Sequence, residues 1–121
     1  MGGVIAVFLL GLLVGGVPAI AQEKPEDNYK TYCWQCHGST GNGMGVNIRD
    51  MSVQPRDHTD AKPMSALSDG DIFKAIKEGG QAVSKSILMP PWGDTFTDEE
   101  IRDLVQYLRT LCQCQYGTTA K

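Results

Sequence analysis

Charge is missing altogether from residues 1–21 of this 121-residue chain. Val4 to Val17 is almost wholly apolar and glycine, and Pro18 is followed by the small-x-small run Ala19-Ile20-Ala21. That pattern predicts a secretory signal, residues 1–21, cleaved after Ala21. No Lys or Arg precedes the apolar core, so a retained anchor helix through residues 4–21 is the alternative; spanning a bilayer takes roughly 20 apolar residues. Period-two alternation is also missing over any useful length, which excludes a β-rich domain. There is no internal repeat and no low-complexity tract, which excludes a solenoid. Excess positive charge is missing too: the net charge is −3, all of it in residues 22–121, which argues against nucleic acid as a partner.

What is present reads as one small all-α domain over residues 22–121. Glu23 to Asn28 is polar and contains Pro25, a linker running into a first helix that carries Tyr29, Cys33, Trp34 and Cys36 and ends at Gly38. Gly41, Gly43 and Gly45 make a loop, and polar, proline-containing sequence continues to Pro63 without a regular element. Ser68 and Asp71 form a capping-box variant opening a helix that Gly79-Gly80 ends. An irregular segment from Gln81 to Phe96 holds Met89-Pro90-Pro91-Trp92. Thr97 and Glu100 cap the last helix, whose Ile101, Leu104, Val105, Leu108 and Leu111 make one apolar stripe.

Cys33-Trp34-Gln35-Cys36-His37 is a C-x-x-C-H string, the signature of covalent attachment of a c-type haem. Two thiols add across the haem vinyl groups, one helical turn sets their separation, and the next residue, His37, is presented to the iron. A thioredoxin-like redox pair would need a βαβ context that is missing. A zinc site would have to use Cys112-Gln113-Cys114, whose spacing is wrong for a zinc knuckle. For the opposite face of the iron, the candidates are Met44, Met51, Met64, Met89 and His58. Met89 is preferred because it precedes Pro90-Pro91, where the backbone is stiff. His58, in a polar loop beside Asp57 and Asp60, reads as an exposed histidine.

On these residues the chain resembles a class I cytochrome c of the small bacterial monohaem type. The matches run from Tyr29 to Leu111: Tyr29, Cys33 to Gly38, Gly41 to Gly45, Pro55-Arg56-Asp57, Met89 to Trp92, Asp98 to Ile101, and Tyr107-Leu108-Arg109. The resemblance implies about three to five helices round one covalent haem. It implies first and last helices crossing near Tyr29 and Tyr107, and the Pro55 carbonyl accepting the free ring N–H of His37. Trp92 is the candidate to pack on the haem. Two departures stand out: Pro25 where the family often has a glycine at the crossing, and Cys112 with Cys114 outside the haem motif.

Four readings of Cys112 and Cys114 stand: a bridge between them, pairing with another chain, a soft-metal site, or two thiols. An exported chain favours oxidation. Lys74, Lys77 and Lys85 flank the Met89 loop, and in similar cytochromes such residues steer docking to acidic partners. The function implied is single-electron transfer between redox partner proteins, in the periplasm or at the membrane. The alternatives are a haem subunit of a larger respiratory or extracellular electron-transfer assembly, and a gas- or peroxide-binding haem protein. No acid–base or nucleophile constellation beside the haem motif favours an enzyme.

Overall fold

A computed structural model describes residues 1–2 and 22–118. The signal-peptide reading of residues 1–21 and its cleavage site fall almost wholly outside the described residues. Among the described residues five α-helices follow in order: α1 Pro25–Tyr32, α2 Trp34–His37, α3 Ala61–Ser65, α4 Asp69–Glu78 and α5 Asp98–Cys112. A short 3-10 turn, Gly80–Val83, follows α4. No described residue lies in a strand; Gln115 and Thr118 form an isolated bridge. The fold is all-α, as the resemblance implies, and no helix among the described residues is long and apolar enough to cross a membrane.

The expected linker is shorter than Glu23 to Asn28. Pro25 is the first helical residue of α1, where its missing N–H costs nothing and its fixed φ suits the helix. Glu26 and Asp27 follow in the first turn, at the positive end of the helix dipole. Asn28 and Tyr29 are already buried. Cys33 keeps helical angles between α1 and α2 and its amide bonds the Tyr29 carbonyl, so the two helices run nearly on from each other.

A helix also forms where none was expected, up to Pro63. Asp60 caps α3 by accepting from the Lys62 amide, and Pro63 occupies the first turn, where it displaces no helical bond. The capping boxes of α4 and α5 are both complete in the reciprocal sense: each cap hydroxyl accepts the third amide, and the Asp71 or Glu100 carboxylate accepts the cap amide.

The core forms where α5 meets α1, α3 and α4. Its apolar stripe supplies Ile101, Leu104, Val105 and Leu108, all buried, against Tyr29, Met64, Ile72 and Ile76. Leu111 is only partly buried; Cys112 takes the enclosed place at that end of the helix. Tyr29 and Tyr107 meet at the contact of α1 with α5, ring centroids 5.4 Å apart.

Arg109 is the unexpected core residue, 3% exposed. Its guanidinium donates to the Met64 carbonyl at 2.8 Å, the Leu67 carbonyl at 2.6 Å and Asp69 Oδ1 at 2.9 Å. The buried cation is thus satisfied mainly by carbonyls freed at the end of α3. Beyond α5 the Cys112 and Cys114 sulfurs are joined to each other, with Cα atoms 5.2 Å apart, which selects the intra-chain bridge from the four readings.

Ile101 is fully enclosed. Ile101→Ala should therefore cost about 2–5 kcal/mol of stability, and Thr97→Ala, which loses only a cap, about 1 kcal/mol. Denaturant unfolding of the two variants, followed by circular dichroism, checks both the sizes and their order.

Candidate functional site

The helix faces of α4 and α5 do not close on each other completely. Between them, α1–α2 and the two long loops lies a cavity of about 890 Å³, within the range of roughly 300–1,000 Å³ usual for ligand and cofactor pockets. Its walls are mostly apolar and include Met64, Ile72, Ile76, Leu104 and Leu108. Cys33, Cys36 and His37 all line it. Tyr32, Trp92 and Phe96 form an aromatic wall of the same cavity, with Tyr32 5.4 Å from Trp92 and 5.2 Å from Phe96, centroid to centroid.

The C-x-x-C-H turn is held from outside by the glycine loop. Gly43 N–H donates to the His37 carbonyl at 2.7 Å, Gly45 N–H to Cys36 at 3.1 Å and Asn47 N–H to Gln35 at 2.9 Å. The carbonyls that end α2 therefore find partners in the loop that follows. Cys33 and Cys36 are unpaired. Burial pushes the Cys33 thiol up to about 12, so it stays protonated, and Cys36 beside it adds to the effect.

His37 Nδ1 lies 3.1 Å from a backbone carbonyl, and that carbonyl belongs to Arg56, one residue beyond the expected Pro55. The Pro55 oxygen is taken up in a close approach to Gly43: a Cβ there would meet it at 2.9 Å. Successive carbonyls of an irregular chain point different ways, so the next one meets the ring. With Nδ1 donating to Arg56, Nε2 keeps its lone pair. Burial lowers the His37 pKa, with the bond to Arg56 opposing it, and the ring is kept in the neutral form that a metal ligand needs.

His58 departs from its expected exposure. It is 8% exposed, and its ring stacks on His37 at 4.2 Å between centroids and 18° between planes. Its Nδ1 is 3.2 Å from the Tyr29 hydroxyl. The polar neighbours that suggested exposure face outward: Asp57 accepts from the Thr59 amide and hydroxyl, while Asp60 caps α3. Burial, followed by the proximity of His37 and Arg56, holds the His58 pKa well below the usual histidine range.

The methionines separate by position. Met44 is exposed and does not line the cavity; Met51, Met64 and Met89 do. Met64 is enclosed in α3, and its carbonyl serves Arg109. Met89 rides on the loop that packs over the end of α4. Gly80 N–H donates to the Met89 carbonyl at 2.9 Å, and Trp92 N–H to the Ile76 carbonyl at 3.0 Å. Gly79, at φ +85°, lets this loop close: a Cβ would lie 2.9 Å from Pro91 N and 3.0 Å from the Met89 oxygen. Of the three flanking lysines, Lys74 and Lys85 line the cavity and are exposed. Lys77 is instead paired with Asp98 at 2.7 Å, joining α4 to α5.

The donor set fits a covalent haem: two free thiols and the His37 imidazole on a single apolar cavity, which His58 also lines, with thioethers on its wall. Among the described residues, no three of His, Cys, Asp and Glu converge as a cage for a bare metal ion.

Residues 21–108 match the family model described as cytochrome c oxidase, cbb3-type, subunit III. Among solved structures, the c-type cytochrome KustC0563 is similar at 27% identity and a TM-score of 0.58, over 74% of this chain and 98% of that one. A chain of the Kuenenia stuttgartiensis reducing HAO-like protein complex Kustc0457/Kustc0458 is 32% identical at a TM-score of 0.58, over 74% of this chain and 42% of that one. Cytochrome cL of the marine methylotroph Methylophaga aminisulfidivorans shares the fold at 21% identity and a TM-score of 0.55, over 75% of this chain and 53% of its own. No curated protein matches.

Gly79→Ala should open the Met89 loop before anything else. The clash is with three backbone atoms of the Met89–Pro91 segment, so local strain of about 1–3 kcal/mol is expected. Hydrogen exchange should speed at the Gly80 amide while Leu104 and Leu108 keep their protection.

Proposed function

The chain belongs to the cytochrome c family described as cytochrome c oxidase, cbb3-type, subunit III, and from that premise we propose that it is an exported electron carrier with one covalent haem. The observation that carries the reading is the meeting of Cys33, Cys36 and His37 on one apolar cavity, with His37 Nδ1 bonded to the Arg56 carbonyl.

Cys33 and Cys36 would hold the haem through thioether bonds. His37 would give Nε2 to the iron, and Met89 would give its thioether. Bound in this way, the haem supplies one-electron exchange at its iron. The chain's own residues do the rest. Arg56 keeps the proton of His37 on Nδ1 and makes the ring a better donor. Tyr32, Trp92 and Phe96 pack the cavity against water, with Trp92 as the haem-packing residue. Apolar walls and a thioether ligand both favour the ferrous state. Ligation by both His37 and Met89 would favour a carrier over a peroxide- or gas-binding protein.

Lys74 and Lys85 stand at the cavity wall and supply positive charge toward an acidic redox partner. Residence in a larger assembly is the second reading. It is supported by the neighbour in the reducing HAO-like complex and by exposed Val53 and Leu88 at the same cavity. The uncharged stretch of residues 1–21 supports export, with the periplasm as destination.

The test is direct. The purified protein should exceed its polypeptide mass by one haem that acid–acetone does not extract; an extractable haem overturns the attachment. Met89→Ala should keep the haem, lower the reduction potential and let the ferrous form bind carbon monoxide. If it binds none, Met51 or Met64 is the ligand. The rate of exchange with an acidic partner should fall as salt rises, because exposed charges are screened beyond about 10 Å at 0.1 M, and Lys74→Glu with Lys85→Glu should flatten that dependence.

A further inference from the structure

His58 is buried, polar and outside the set of haem-holding residues just described. An apolar side chain would fill its place at lower cost, since burying an imidazole is unfavourable unless its nitrogens are satisfied. Here one is: Nδ1 lies 3.2 Å from the Tyr29 hydroxyl. Tyr29 is itself 1% exposed, with its ring against Tyr107 on α5. The His58 backbone is fixed as well, its N–H donating to the Gly41 carbonyl at 2.6 Å. Gly41 can approach because it has no Cβ; one would meet Leu111 Cδ1 at 2.8 Å and the Tyr29 oxygen at 3.4 Å. From α5 through Tyr107 and Tyr29 to His58, each side chain is held by the next.

The last link touches His37. Its ring plane is covered by the His58 ring at 4.2 Å and 18°, while its Nδ1 edge meets the Arg56 carbonyl at 3.1 Å. Arg56 and His58 are two residues apart on one segment. That segment therefore supplies both the acceptor for the edge and the lid for the face of the same imidazole.

We propose that His58, anchored by Tyr29, is a positioning residue that fixes the rotation of the His37 ring and so the strength of its bond to the iron. The proposal rests on the reading of His37 as iron ligand. A ring free to turn loses alignment with the Arg56 carbonyl, and its Nε2 becomes a weaker donor. A weaker donor stabilises ferric iron less, so the reduction potential rises.

The experiment uses the full holoprotein and three variants: Tyr29→Phe, His58→Leu and the double variant. Ferric electron paramagnetic resonance g-values and haem-methyl proton shifts report the imidazole orientation, and spectroelectrochemistry reports the potential. Both single variants should keep one covalent haem and the same axial ligands. Both should move the g-values and methyl shifts in the same sense and raise the potential. The double variant should go no further than His58→Leu, because Tyr29 acts only through His58. Unchanged g-values and potential in the single variants overturn the proposal, and so do shifts that simply add. Tyr29→Phe removes one oxygen and keeps the ring, so it decides the question even if His58→Leu fails to fold. A parent spectrum without imidazole ligation overturns the reading of His37 itself, and it is seen before any variant is made.

Discussion

The bond between His37 Nδ1 and the Arg56 carbonyl, beside the stacked His58 ring, joins two distant parts of the chain. One is the end of a helix, set by the local geometry of Cys33 to His37. The other is a loop segment with no regular structure. For the bond to exist, α1 must lie against α5, the glycine loop must fold back on α2, and residues 55–58 must pass under the ring. Tyr29, Gly41 and Gly43 each serve that arrangement. The helices matter to the site mainly because they leave this loop no other course.

The same arrangement explains why the core is one-sided. α5 has a continuous buried stripe, but α4 and the loops facing it enclose a cavity instead of closing on it. A chain of this length buries a modest fraction of its surface and gains from any body that fills its centre. A group that makes its apolar contacts only in the folded state stabilises that state. The half-exposed Asp69 and the buried guanidinium of Arg109 brace α4 against α5.

Much of this was legible in the residues. The capping boxes at Ser68 and Thr97, the glycine stops at Gly38 and Gly79, and the stripe of α5 are local signals, and local hydrogen bonding enforces them. The attachment string is legible because its chemistry demands that spacing. What was not legible depends on contacts between distant segments. His58 sits among aspartates that turn outward, so composition pointed the wrong way. A single-residue choice between the Pro55 and Arg56 carbonyls is set by the packing of Gly43. Pro63 argued against a helix, yet the first turn of α3 tolerates it. The burial of Arg109 depends on the carbonyls of Met64 and Leu67, which come from a distant segment. The paired histidines had one available signal: His58 follows directly on the Pro55-Arg56-Asp57 segment that bears the acceptor.

The short ring closed by Cys112 and Cys114 spans two positions in sequence and ties no distant parts together, and a loop so small removes little entropy from the unfolded chain. Its consequence is one of sorting. Four thiols allow three complete pairings, and two of those would join Cys33 and Cys36 to Cys112 and Cys114. With Cys114 held beside Cys112 at the end of α5, each finds its partner next door. Cys33 and Cys36 are left free of Cys112 and Cys114 on the cavity wall.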